Sequence, residues 1–403
     1  MIKVAIDIRF LHAGMGRSRT THYAIGGIGR VMLSRLKEID PTNSKFSFIL
    51  IVDSRRYSLT ALKEALPNYK NFVHFMYRFY LLPGISPNIR RRIQTVQEWL
   101  NQRKIRSADV DIVECHDEFW HVRWNSSGKK KYKSLVFVHA HVTPKWKDPV
   151  DLESYLTGLR SSDHIVTVSN SVREELMQKY GFHASQITTI YHGVDKDTFR
   201  VIEKTHETQR YLCERFNISK PYLIYVGSWG EIKNVDKIIA SFELFKSSYK
   251  EDIQLVLVGN IEKFSPSQTK KIRQLISKSQ FSRDIIEIGY LQDSDIVLLN
   301  NHAEAFLQLS DYEAFCQGVA EAMACGTPVI ASKEVAVAKE LGLADELLDP
   351  NDIEAVAERI NKILSDSSYR ANLLKKQSCV VEQLSWKKNA EQVLNLYEKL
   401  IAT

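Results

Sequence analysis

Residues 305–330, AFLQLSDYEAFCQGVAEAMACGTPVI, confine this chain to few folds. The apolar run 305–309 reads as a buried strand, ended by polar Ser310 and Asp311. A helix is predicted over 314–325, stopping at Gly326, a residue suited to the left-handed position after a helix. Thr327-Pro328 turns the chain, and Val329-Ile330 open the next buried strand. Strand, loop, helix, turn, strand is a βαβ unit. Further strands are predicted at 2–8, 46–52, 111–115, 134–139, 164–169, 186–191, 222–226, 253–258 and 285–288. Helices are predicted at 31–39, 172–180 and 235–245, with a last one from Ser385. The expected class is α/β, and 403 residues suit two domains of about 200.

Composition excludes several functions. The 44% apolar and 26% charged content is that of a soluble globular protein. No apolar run reaches the length of a membrane span. The start, MIKVAIDIRF, carries charge inside its apolar run and lacks a cleavage site, so a first strand is expected there and not a signal peptide. Cys115, Cys213, Cys316, Cys325 and Cys379 form no C-x-x-C pair, which argues against a disulfide framework or zinc site and for a reducing cytosol. A net charge of +7 suits phosphate-bearing or membrane-surface partners without implying nucleic acid.

Two acids mark the βαβ unit, Glu313 in its loop and Glu321 in its helix. Their spacing corresponds to about 12 Å of helix rise, too far to share a proton or a metal ion. The pair suits two hydroxyl-bearing parts of one elongated ligand over a helix N-terminus, where backbone N–H groups favour phosphate. A capping acid and a solvated helix residue are the plainer reading. The pattern S-x-x-E-x-F-x-x-x-x-x-E-A-M-A-x-G-x-P-V-I, from Ser310 to Ile330, resembles the E-x7-E signature of the retaining glycosyltransferases of family 4. That resemblance implies the GT-B fold, two Rossmann-like doubly wound parallel-sheet domains facing each other across a cleft. It also implies that Glu313 faces the transferred sugar and Glu321 holds the nucleotide ribose. The family usually writes E-G-F-G where this chain has Glu313-Ala314-Phe315-Cys316.

Other segments extend the likeness. A glycine-rich loop, Gly26-Gly27-Ile28-Gly29-Arg30, precedes the helix 31–39 and reads as a phosphate cradle. A dinucleotide fingerprint fails there on spacing, since its first glycine should follow the strand almost at once. The loop resembles the family's G-G-x-G-R loop, which implies contacts to donor phosphates from Gly27 and to the acceptor from Arg17, Gly26 and Arg30. His139 ends a predicted strand where the family carries a histidine on the donor sugar; His141 competes with it and is assigned to the acceptor. Tyr191-His192-Gly193-Val194-Asp195 matches the element before the interdomain linker. The family usually places arginine at the Ser228 position and lysine at Lys233, both on the diphosphate; only the lysine is kept. Tyr290, with Leu291, matches the position that packs on the base. The implied donor set is Gly27, Ser228, Lys233, Tyr290, Leu291, Ala314, Phe315, Cys316, Gln317 and Glu321, with Glu313, His139 and Lys233 catalytic.

The expected domains are 1–199, joined by the last helix 385–403 that crosses back to it in GT-B proteins, and 200–384. The first is read as acceptor-binding and the second as donor-binding. Segment 86–106 places Ile93, Val96, Trp99 and Leu100 at helical spacing among six basic residues, a core-facing surface helix or one drawn to anionic lipid. The triplets Asp109-Asp111, Asp195-Asp197 and Asp293-Asp295 sit at ordinary aspartate positions, so no metal is expected; no cofactor beyond the nucleotide-sugar substrate is expected either. The expected activity is retaining, metal-independent transfer of a hexose from a nucleotide sugar. UDP-glucose is favoured over GDP-mannose, the acceptor being a saccharide or lipid-linked saccharide in polysaccharide biosynthesis, and the expected location is the cytoplasm, either free or peripheral on the inner face of the membrane. A UDP-sugar epimerase or an inactive sugar-nucleotide binder of the same fold are the alternatives.

Overall fold

A computed structural model describes residues 1–8, 27–42, 45–53, 66–75, 103, 105, 107–116, 131–142, 149–259 and 266–402. The chain forms two compact units, Met1–His192 with Trp386–Thr403, and Gly193–Ser385.

The first unit holds a seven-stranded sheet of β1 (Ile2–Asp7), β2 (Phe46–Asp53), β3 (Phe72–Phe75), β4 (Ile112–Cys115), β5 (Lys133–Val138), β6 (His164–Thr167) and β7 (Ile187–Thr189). Their order is β3-β2-β1-β4-β5-β6-β7, every pairing parallel. Val4, Ala5 and Ile6 are all buried, as a parallel strand covered on both faces requires. The helix Trp386–Ala402 returns to this unit, and its stripe Trp386, Ala390, Val393 and Tyr397 is buried. Val393, Tyr397 and Leu400 share one core with Met32 and Leu36 of the helix Gly27–Glu38. That helix starts at Gly27, four residues before the predicted Val31. Glycine disfavours a helix by only about 1 kcal/mol relative to alanine, so packing carries the element back through the loop. Strand β3 was absent from the sequence reading, because four residues are too few for a period to show.

The second unit holds β8 (Tyr222–Val226), β9 (Gln254–Val258), β10 (Ile285–Ile288), β11 (Ala305–Gln308) and β12 (Val329–Ala331), ordered β10-β9-β8-β11-β12 and parallel throughout. Leu223, Leu255, Leu257, Leu307 and Ile330 share its core with Ile238, Phe242 and Phe245 of the helix Val235–Tyr249. Both sheets are doubly wound, with chain order reversing between β1 and β4 and between β8 and β11. In such sheets ligands sit beyond the carboxyl ends of the strands at the reversal.

Candidate active site

At the reversal in the second unit, the loops after β8 and β11 are fastened together. Asn234 Nδ2 donates to Leu309 O at 2.7 Å and to Asp311 Oδ1 at 2.6 Å. Asp311 N donates to Ile232 O at 2.9 Å. The fastening sets Lys233 Nζ against Glu313 Oε1 in a hydrogen-bonded ion pair. That oxygen also accepts from Ser310 Oγ at 3.0 Å and Gln308 Nε2 at 3.2 Å. One carboxylate oxygen is anchored, and the other, Oε2, has no donor among the described residues. Burial works against the Lys233 charge, but the Glu313 carboxylate outweighs it and holds the ammonium above the ordinary lysine range.

The helix after this loop begins at Gln317, later than the predicted 314. Residues 313–315 are tied to a neighbouring segment instead: Glu313 N donates to Glu334 O at 3.2 Å, and Val337 N donates to Phe315 O at 3.3 Å. Cys316 then turns the chain at φ 75° and ψ 79°, the region that favours glycine. A cysteine there costs about 1–2 kcal/mol, so the backbone keeps the path of a glycine without its freedom. Ala314 and Phe315 are buried, so only their main chain can meet a ligand. The helix Gln317–Ala324 has no side-chain cap on its first N–H groups, the arrangement that suits a phosphate. Glu321 is buried further along it. Burial, reinforced by the Glu321 charge, pushes the Cys325 thiol up to about 12. Ser228 lies just past β8, its carbonyl accepting from Tyr225 Oη at 2.7 Å. Tyr290, just past β10, is 38% exposed, enough ring to stack on a base.

The first unit carries a second polar group, at the carboxyl ends of β4 and β5. Glu114, buried in β4, accepts on Oε1 from Arg35 and, at 2.6 Å, from His116 Nε2. Its Oε2 accepts from Tyr397 Oη on the last helix. His116 Nδ1 meets His139 Nε2 at 2.9 Å. Phe137 stacks on the His116 ring at 4.5 Å and lies under the Arg35 guanidinium at 4.6 Å. Burial alone would raise the Glu114 carboxyl, yet Arg35, His116 and Tyr397 hold it at about 2. Burial, helped by Arg35, depresses His116 despite the Glu114 charge. His141 is engaged elsewhere: its Nδ1 lies 2.9 Å from Glu175 Oε2, and its Nε2 lies 3.4 Å from Ser171 Oγ.

The structure thus brings Glu313 and Lys233 into contact and sets Cys316, Gln317 and Glu321 on the following helix start. Arg30 lies on the first-unit helix Gly27–Glu38. Arg17, Gly26 and nearly all of 86–106 lie outside the described residues. Gln308, Ser310, Asn234 and the Arg35–Glu114–His116 group were missed by the sequence reading. A glutamine in the apolar run AFLQL and a glutamate in IVEC were the available signals, being polar residues where burial demands partners. The aspartate triplets are spent locally: Asp195 accepts from Asp197 N at 3.1 Å, Asp295 from Arg215 at 3.1 Å, and Asp111 from Lys3 N at 2.8 Å.

Comparison with known proteins agrees with this architecture. The sequence profile of Glyco_transf_4, glycosyltransferase family 4, matches residues 25–198. That of glycosyl transferases group 1 matches residues 214–378. The O-antigen chain mannosyltransferase B of Escherichia coli is 26% identical over 266 residues, 66% of this chain and 68% of that protein. The serotype-specific mannosyltransferase WbdA, also of E. coli, is 22% identical over 258 residues, 63% of this chain but only 31% of its own length. Among solved structures, Anabaena Alr3699/HepE, in complex with UDP and glucose, superposes with a TM-score of 0.74 at 16% identity, over 99% of this chain and 100% of that one. With one profile on each unit, and two parallel α/β sheets of the GT-B kind beneath them, the chain is a glycosyltransferase of family 4.

Proposed function

We propose that this glycosyltransferase moves a hexose from a nucleotide sugar to a growing or lipid-linked saccharide, with retention and without a metal ion. The observation that carries the reading is the Glu313 carboxylate. Lys233, Ser310 and Gln308 occupy Oε1 and leave Oε2 as an acceptor for a sugar hydroxyl. A carboxylate damped by an ammonium and two further donors is a poor nucleophile, which supports front-face attack, with the leaving phosphate taking the acceptor's proton. Lys233 has two further N–H donors for the diphosphate, and the uncapped helix N-terminus at Gln317 adds main-chain donors to the same charge. Glu321 takes the ribose and Tyr290 the base. His139 is read as a second contact to the sugar, on the family resemblance alone. Ordinary structural bonds to Asp111, Asp195 and Asp295 support metal-free stabilisation of the leaving group.

Mannose from GDP-mannose is the preferred donor reading, supported by likeness to the two E. coli mannosyltransferases. UDP-glucose, expected from the sequence, is the competing outcome. Purified protein is incubated with each donor and short mannoside or glucoside acceptors, in EDTA and in Mn²⁺. The expected result is GDP release coupled to an α-linked product, undiminished by EDTA. Sugar isomerisation without transfer would assign an epimerase instead, and activity lost in EDTA but restored by Mn²⁺ sinks the metal-free mechanism.

A further inference from the structure

Four residues, from the first helix, the end of β4 and the last helix, converge behind His139. Arg35 comes from the first helix, Glu114 and His116 from the end of β4, His139 from the end of β5, and Tyr397 from the last helix. Proton positions in this chain follow from acceptor counting. Glu114 is ionised, and its Oε1 lies 2.6 Å from His116 Nε2, a distance that two lone-pair atoms cannot share, so the His116 proton sits on Nε2. The Arg35 contact to the same nitrogen, 3.0 Å, is then a close approach of two donors, each satisfied by Glu114. The ring of His116 is fully buried against Phe137 and faces the Arg35 charge; together these outweigh the pull of the Glu114 and Asp7 carboxylates and disfavour a second proton on it. His116 Nδ1 is therefore a lone pair. His139 Nε2, 2.9 Å away, must donate to it.

We propose that Arg35, Glu114 and His116 are positioning residues that hold His139 as a neutral imidazole protonated on Nε2, so that its Nδ1 lone pair accepts a hydrogen bond from a hydroxyl of the donor sugar. The tautomer is imposed from inside the first unit; the sugar as recipient rests on the function proposed above. An unconstrained histidine samples both tautomers and the imidazolium near neutral pH, and only one of these three states offers an acceptor at Nδ1. The carboxylate thus acts two rings away, by orientation and by withholding charge, without itself taking a proton. Tyr397 fills the remaining oxygen of Glu114, which links this setting to the helix that returns from the far end of the sequence.

The test is long-range ¹H–¹⁵N spectroscopy of protein labelled with ¹⁵N-histidine, at pH 7.5, read together with kinetics. In the wild type, His139 should show a protonated Nε2 and a bare Nδ1. His116→Phe keeps the stack on Phe137 and removes the acceptor. It should release His139 into mixed tautomers and lower kcat/KM with GDP-mannose or UDP-glucose by roughly 10–100-fold, as loss of an outer histidine partner does elsewhere. Affinity for the bare nucleoside diphosphate should stay unchanged, because the hydroxyl at issue belongs to the sugar. Glu114→Gln, which keeps the volume, should shift the same resonances. A wild-type His139 carrying its proton on Nδ1, or one unaltered by His116→Phe, overturns the relay. An altered tautomer with unaltered kcat/KM overturns its role toward the sugar. If the wild type binds neither nucleotide sugar by calorimetry, the functional reading fails, while the spectrum still decides the tautomer.

Discussion

Replacing Glu313 separates two mechanisms that its position alone does not. In Glu313→Gln the amide carbonyl still accepts from Ser310 and Gln308, but the charge facing Lys233 is gone and an NH₂ stands in place of the Oε2 proposed to accept from the sugar. A hydrogen bond to a charged acceptor is worth about 1.5–3 kcal/mol, against roughly 1 for a neutral one. The difference predicts a loss of about 0.5–2 kcal/mol in kcat/KM, or roughly 2–30-fold. Glu313→Ala removes the acceptor altogether. Gln308 and Ser310 still bond each other at 2.6 Å, so the stranded group is Lys233, a mostly buried ammonium. Its desolvation adds about 1–3 kcal/mol, so Ala should lose roughly 10²–10³-fold and melt lower as well. A covalent nucleophile behaves differently: deleting one has cost on the order of 10⁶ in a hydrolase, and an amide cannot substitute. Initial rates for both variants, with the anomeric configuration of the product read by ¹H NMR, decide between them. Equal inactivity of Gln and Ala, or a glycosyl adduct on Glu313 trapped from a fluorinated donor, refutes the reasoning.

Three further outcomes are expected. Glu321→Ala should weaken nucleotide-sugar binding by one to three orders of magnitude, about 1.4 kcal/mol each, since two ribose hydroxyls lose a charged acceptor; unchanged affinity by calorimetry would contradict the assignment. Burial, with Arg35 and His116 adding to it, holds His192 at about 3 against an ordinary 6.5, its ring among His139 and Trp386. The unfolded chain therefore takes up this proton first, and stability falls as pH drops from about 6.5 toward 3, by up to about 1.4 kcal/mol per unit. Urea melts at pH 7.5, 6 and 5 should show that fall, and His192→Phe should flatten it. At Cys316, with φ 75°, glycine relieves about 1–2 kcal/mol of backbone strain but raises chain entropy and removes a half-buried thiol, so Cys316→Gly should leave the melting temperature nearly unchanged. Cys316→Val, β-branched at positive φ, should lower it clearly; a tolerated valine would show that the turn is not strained.

What could be read from the sequence was whatever depends on local order along the chain. Strands such as LVLV at 255–258 are apolar on both faces, and that alone marks a parallel sheet buried under helices. Glu313 and Glu321 stood out by their E-x7-E spacing in the loop and helix of one βαβ unit, and Lys233 by its match to the family's diphosphate lysine. The features that escaped are set by partners distant in sequence. The helix after Glu313 starts late because Val335 and Val337 claim the main chain of 313–315, and no period inside 310–326 reports that claim. Asn234 takes a left-handed φ of 52° and reaches 75 residues along the chain to Leu309, so the contact between Lys233 and Glu313 depends on a residue whose own surroundings suggest only a helix cap. Glu114 is the sharpest case. A charge inside IVEC looks like a flaw in a strand until β1 and β4 are neighbours and Tyr397, 283 residues on, is packed beside it. Its partners come from three elements that only the sheet order and the returning helix bring together. A buried charge flanked by apolar strand residues is then best read as a demand for partners, and the strand end beyond it as the place where those partners set the chemistry. In this chain that strand end leads through His116 to His139.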